Sequence, residues 1–179
     1  MANYSTDAMI YSALASVDLQ ANFFNSYGNP KPEEIENLRD EFREARRFIL
    51  SGRRGHWSYR QLTLINNTNL EAGWYYYPQD WIAWYRPMPN TSGADKSGVP
   101  IVQFSGNQVL YVFDREDMAG MPIELIALVK QYFLYKLLPR AIISQQKAAI
   151  VTNELRAVDA IVKQMAAIDQ QSKQHLLFG

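Results

Sequence analysis

The feature that most constrains this chain is a change of periodicity at His56 that is reversed after Phe113. Ahead of it, Ile10, Leu14, Val17, Ala21 and Phe24 recur at steps of four, three, four and three. That spacing is one stripe of an amphipathic helix, with Ser5 or Thr6 as N-cap and Asp7 in the first turn. After the break Tyr27-Gly28-Asn29-Pro30, Pro32, Glu33 and Glu34 suit the first turn of a second helix. Its stripe is Ile35, Leu38, Phe42, Ala45 and Ile49, with Glu36/Arg39 and Asp40/Arg43 spaced for pairing on the wet face. Ser51-Gly52 and Gly55 end it.

From His56 to Phe113 the text is different: short runs of Trp, Tyr, Ile, Val and Thr, broken by Gly, Pro and Asn. Such runs are strands and turns. The expected strands are Trp57–Ile65, Trp81–Tyr85, Ile101–Phe104 and Val109–Phe113. Ser105-Gly106-Asn107 reads as a hairpin turn between the last two, and Arg86–Pro100 as a long mobile loop. Helical texture returns at Pro122. Pro139 must end or kink that helix, and a last helix carries Val151, Leu155, Val158, Val162 and Met165. The expected fold is therefore α+β, mostly α. The N-terminal helix pair (1–55) and the C-terminal pair (117–169) share a four-helix bundle, a small antiparallel β-rich segment (56–116) is inserted between them, and an aperiodic tail (170–179) follows.

Composition narrows the chemistry. The 179 residues include no cysteine, which removes disulfides, thiol nucleophiles, thiolate zinc sites and iron–sulfur clusters. Eighteen basic and eighteen acidic side chains cancel, which argues against a globally basic nucleic-acid binder. The cancellation is uneven. Residues 1–56 hold seven basic and eight acidic groups, 57–120 four and six, and 121–179 seven and four. The start, MANYSTDAMIY, has no basic stretch followed by an apolar core, so no signal peptide is expected. Pro122–Leu138 contains Glu124, Lys130, Gln131 and Lys136. A membrane span needs about 20 mostly apolar residues, so this stretch reads as a buried helix and a reducing compartment is expected.

Five features of the chain bear on function. His56 and His175 are the two histidines, neither with a second at metal spacing nor with a GxSxG elbow, so two surface histidines are expected and no cofactor. Asp114, Glu116 and Asp117 either bind a cation or act as an acid/base pair, or they supply negative charge ahead of a helix N-terminus; the second reading is preferred. The run Trp74-Tyr75-Tyr76-Tyr77 with Trp81 and Trp84 is either a stacking platform for bases or sugars, or a strand core and interface, again with the second preferred. Arg46, Arg47, Arg53 and Arg54 meet phosphates or an acidic partner, or form a solvated helix end, and nothing separates the two. Leu176, Leu177 and Phe178 either fold back or dock on another chain.

The order of parts also carries a resemblance. Gly55-His56-Trp57-Ser58-Tyr59, then Tyr77-Pro78-Gln79-Asp80-Trp81-Ile82, then Tyr111-Val112-Phe113-Asp114-Arg115, and Glu116-Asp117 followed by Met121-Pro122-Ile123-Glu124 at the head of a long helix, together resemble the tail tubular protein A family of podophages. These are head-to-tail adaptors of tailed phages, and the likeness covers roughly residues 5–165 in element order. The resemblance implies a structural virion protein rather than an enzyme, assembled in the host cytoplasm. It implies a homo-oligomeric ring of twelve copies between the capsid portal protein and the tail nozzle protein, with genomic DNA passing through its lumen without specific binding. Tail fibres are a further implied partner, and no membrane is involved. On that view Arg46, Arg47, Arg53, Arg54, Leu176, Leu177 and Phe178 meet the portal or a neighbour, while Trp74, Tyr76, Trp81 and Trp84 face the nozzle. The competing expectation is a carbohydrate- or single-strand-binding module built on the same Trp/Tyr-rich insertion. A hydrolase using Asp114 and Glu116 ranks last.

Overall fold

In the computed structural model, residues 5–24, 31–52 and 55–178 are described, without the side chains of Pro32, His56 and 172–178. The chain divides into two compact units, one formed by Met1–Trp57 with Arg115–Gly179 and the other by Ser58–Asp114. The class is mixed α+β.

The first unit is helical. α1 (Thr6–Ser16) starts where the Ser5 hydroxyl accepts from the Ala8 amide at 3.4 Å. The expected continuous stripe is interrupted, because Asp18 takes a left-handed backbone (φ 54°) and a one-turn α2 (Gln20–Phe23) starts afresh. Leu19 and Phe23 are buried in consequence and Ala21 is exposed. α3 (Pro32–Gly52) buries Leu38, Phe42, Ala45 and Ile49, as its spacing predicts, and both expected ion pairs form, Arg39–Glu36 and Arg43–Asp40 at 2.6 Å. Arg39 also grips Asp7 with two hydrogen bonds, 2.9 and 2.8 Å, tying α1 to α3; the guanidinium lowers the Asp7 carboxyl below its ordinary range.

α4 (Ile123–Leu137) is the central helix and packs against α1, α3 and α5. It buries Leu125, Leu128, Val129, Phe133, Leu134 and Leu137, and Phe133 meets Phe42 edge-on with ring centroids 5.2 Å apart. Pro139 ends it in a 3-10 turn, Leu138–Arg140. Arg140 there pairs with Glu41 and, at 2.7 Å, with Glu34 of α3, its guanidinium 5.5 Å from the Phe23 ring. Burial raises the Glu41 carboxyl above its usual range, against the pull of Arg140. α5 (Gln145–Phe178) buries Val151, Val162 and Ala166. Its backbone stays helical past Gln170, so the stretch read as an aperiodic tail is a helix; the side chains of Leu176, Leu177 and Phe178 lie outside the described residues. Among the described residues no helix is long and apolar enough to cross a membrane.

The second unit holds two three-stranded antiparallel sheets. β1 (Tyr59–Thr63), β6 (Gln108–Phe113) and β3 (Trp81–Arg86) form one, in the order β1-β6-β3. β2 (Trp74–Tyr76), β5 (Pro100–Gln103) and β4 (Thr91–Ala94) form the other, in the order β2-β5-β4. They share a core of Leu64, Tyr75, Val102, Phe104 and Val109, with Leu62, Tyr77 and Trp84 packed on it.

Two expectations fail here. Ser105-Gly106-Asn107 is not a hairpin turn: β5 is already flanked by β2 and β4, and β6 by β1 and β3, so the turn carries the chain from one sheet to the other. Nor is Arg86–Pro100 wholly a loop, because β4 lies within it. Thr91–Ala94 is exposed on both faces and is held by backbone pairing to β5, a strand that burial patterning cannot reveal. The turn into β2 needs Gly73, which has φ +85° and whose carbonyl accepts from Phe104 N at 3.0 Å.

Candidate functional site

Alternation along β3 and β6 sets aromatic side chains against one another. Trp84 pairs across the sheet with Tyr111, with ring centroids 6.2 Å apart, and meets Phe104 edge-on at 5.0 Å and Tyr77 at 5.4 Å. Trp81 meets Tyr77 edge-on at 4.7 Å and Trp84 at 5.7 Å. The two edge-on contacts are a favoured arrangement for aromatic quadrupoles, and the others are tilted. Their faces are taken up by each other, which makes the group a packing cluster before it is a platform for a base or sugar. Trp74 is half-buried, with its indole within ordinary contact of the position a Cβ on Gly93 would take, 3.6 Å. Tyr76 donates its hydroxyl to Asp95 Oδ2 at 2.7 Å. Asp95 Oδ1 also accepts from the amides of Ser97 and Val99, and its carboxyl is lowered chiefly by Tyr76. All four aromatic residues expected at the nozzle side thus lie in one unit, with Trp81 and Trp84 in contact.

A polar hub, not foreseen from the sequence, is built into this cluster. Asp80 Oδ1 accepts from Tyr111 Oη at 2.8 Å, and Oδ2 pairs with Arg60. The Asp80 carbonyl accepts from Asp114 N at 2.6 Å. Arg60 lies over the Phe113 ring, 4.2 Å from its centroid. Burial, and then the neighbouring carboxylate, push the Tyr111 phenol up to about 12. The only sequence signal was an acid inside an aromatic run, which gives no register. Asp114 and Asp80 meet through main chain, and that arrangement is structural.

The basic cluster divides. Arg46 is 2% exposed and donates to the Glu116 carbonyl at 3.3 Å, so its guanidinium is spent inside the helical unit and is not the surface group expected. The signal was present, because Arg46 sits four residues after Phe42 and four before Leu50, on the buried face. Arg47 is half-buried, and Arg53 and Arg54 lie outside the described residues. Nearby, Gly55 admits no side chain, since a Cβ there would run into the Trp57 indole.

The acidic cluster is also placed differently from expectation. Asp117 Oδ1 accepts from Arg115 Nε and Ala119 N, both at 3.0 Å, closing a turn whose next residue, Met118, has φ 48°. These contacts lower its carboxyl, and they end several residues short of α4, so it serves its own turn rather than a helix N-terminus. Among the described residues there is no group of three or more His, Asp or Glu side chains that would hold a metal ion. The side chains of His56 and His175 lie outside the described residues. No protein-family model matches this chain, and no curated protein sequence matches it.

Proposed function

We propose that this chain is a subunit of the adaptor ring that joins a phage capsid portal to the tail nozzle, with α1, α3, α4 and α5 as a four-helix bundle that contacts its neighbours. The observation that carries the reading is a second face on α5. On a helix of 3.6 residues per turn, Ile150, Ala157, Ile161 and Ile168 fall within about 40° of one another. The three isoleucines are 45%, 49% and 60% exposed. On one side Gln146, Asn153 and Gln164 border this line, followed by Ala149, Ala160 and Ala167, all exposed and uncharged, while on the other side the line meets the exposed Glu154. An apolar line with an uncharged flank on one side and a charge at its other edge has the composition of an interface core and its rim. α5 is also 34 residues long against 15 for α4, so it has surface to offer beyond its own bundle.

The element order supports the same reading, with helices at both ends of the chain and the β unit inserted between them. In this role the virion is the site of action, the portal and nozzle proteins are the partners, and the protein does no chemistry. The test is native mass spectrometry of the purified chain mixed with the portal ring encoded in the same genome. Addition of twelve copies is expected, and Ile161→Glu should abolish it with an unchanged thermal midpoint. Failure to join the portal at any concentration would sink the proposal.

A further inference from the structure

A groove of about 450 Å³ opens on the β1-β6-β3 sheet, lined by Gln61, Arg86, Pro87, Gln108, Val109 and Leu110. Register places its chemistry in a row. Gln61 of β1 and Arg86 of β3 both pair with Leu110 of β6, so an amide, an aliphatic chain and a guanidinium lie side by side across three strands. Gln108 adds a second amide, and Pro87 adds a flat apolar wall beside Arg86. Gln61, Arg86, Pro87 and Gln108 are all exposed and Leu110 is half-buried, so each is open to a ligand.

Arg86 is the unusual member. Its only close electrostatic neighbour is the Tyr85 ring, 5.8 Å away, and among the described residues no carboxylate pairs with it. Arg60 of the same unit, by contrast, is held by Asp80. A guanidinium with its fork free is suited to bidentate capture of a carboxylate.

The row has a length. Neighbouring strands lie about 4.8 Å apart, so Gln61 and Arg86 are separated by roughly 10 Å, which three residues of extended polypeptide span. A carboxamide offers one acceptor and two donors, matching the acceptor and donor of a peptide unit. We infer that this groove is a docking site for an extended peptide segment that presents an acidic side chain to Arg86, an apolar side chain to Leu110 and Pro87, and its backbone to Gln61 and Gln108. The inference does not depend on ring assembly. It concerns one face of the β unit, whereas the portal experiment reads the face of α5.

The test is fluorescence anisotropy with a fluorescein-labelled peptide, Gly-Glu-Leu-Leu-Gly amide, titrated with the full chain at low salt. Saturable binding is expected, weakened at least tenfold when the glutamate of the peptide is replaced by glutamine. Arg86→Gln should weaken it as much, Arg86→Lys should restore part of it, and Gln61→Ala with Gln108→Ala should cost a few-fold. Thermal midpoints of the variants, all surface substitutions, report whether each is folded. Equal binding of the acidic and neutral peptides would overturn the inference. So would indifference to Arg86→Gln, or a preference for tetragalacturonate over the peptide, which would make the groove an acidic-sugar site.

Discussion

The two units differ in how their carboxylates are tied to the core. In the helical unit aliphatic and phenyl side chains fill the interior, Arg46 is the one buried charge there among the described residues, and Glu36, Arg39, Asp40 and Arg43 pair on the wet face. In the β unit a polar group borders the core: Tyr111 is buried, Asp80 half-buried and Arg60 exposed. Asp80, Arg60 and Tyr111 form a bonded hub among rings, so specificity there comes from hydrogen-bond geometry as well as packing. The lesson is that the same contact type carries different weight in the two units. Removing a carboxylate should matter greatly in one and hardly at all in the other.

The largest effect is expected from the aliphatic side of the contrast. Phe133→Ala empties a fully buried site against Phe42 and should cost about 3–5 kcal/mol, read as the urea midpoint of the helical circular dichroism signal. A loss under about 1 kcal/mol would mean that the helical core is loosely packed there.

In the β unit, Asp80→Asn leaves Arg60 without its counter-charge and disturbs the Tyr111 hydroxyl. The expected cost is about 1–3 kcal/mol, followed by tryptophan fluorescence, since Trp74, Trp81 and Trp84 all lie in that unit. The same hub gives a pH signature. The Tyr111 pKa is raised in the folded chain from 10.0 to about 12, so the native state holds its proton more tightly than the unfolded state. That contribution is complete below pH 10 and is lost as the pH climbs to 12. Tyr111→Phe should therefore be less stable than the parent at neutral pH and should lose less stability over that alkaline interval. An identical slope in both proteins would remove Tyr111 from the account.

The smallest effect sharpens the comparison from the other side. Asp40 and its partner Arg43 are 65% and 51% exposed, so Asp40→Asn should change stability by no more than about 0.5 kcal/mol, a nearly superimposable melting curve. A carboxylate removed from the wet helix and one removed from the ring cluster should thus differ several-fold.

How much of this was legible in the sequence follows the range of the interactions. Helical periodicity is local, so the stripes of α3 and α5 and the ion pairs of α3 could be read off spacing. The break at Asp18 could not, because a single residue entering the left-handed region leaves the stripe of apolar letters intact. Strand positions were largely readable, since Trp, Tyr and Val mark them. Strand partners were not, because pairing joins residues far apart, such as Tyr59 with Val112, and no local signal reports it. β4 escaped for a related reason, being exposed on both faces with no alternation to detect. Of the candidate site residues, the aromatic ones were visible as a run, but whether their faces were free depended on that register. Arg46 shows the limit of reading by residue type, since an arginine on a buried helix face has the same letter as one at the surface.

The interleaving of the two units along the chain has a consequence for synthesis. α3 must find α4 to bury Phe42, yet the whole β unit is translated between them, a separation of 85 residues from Gly52 to Leu137. At about 5–20 residues per second the ribosome takes roughly 4–17 s to cover that distance. During that interval α1 and α3 have emerged with Leu38, Phe42 and Ile49 still waiting for a partner, while Ser58–Asp114 already has every strand of its own two sheets. The nascent chain should therefore complete its β unit before its helical one, and depend on chaperones most in the seconds before α4 leaves the exit tunnel.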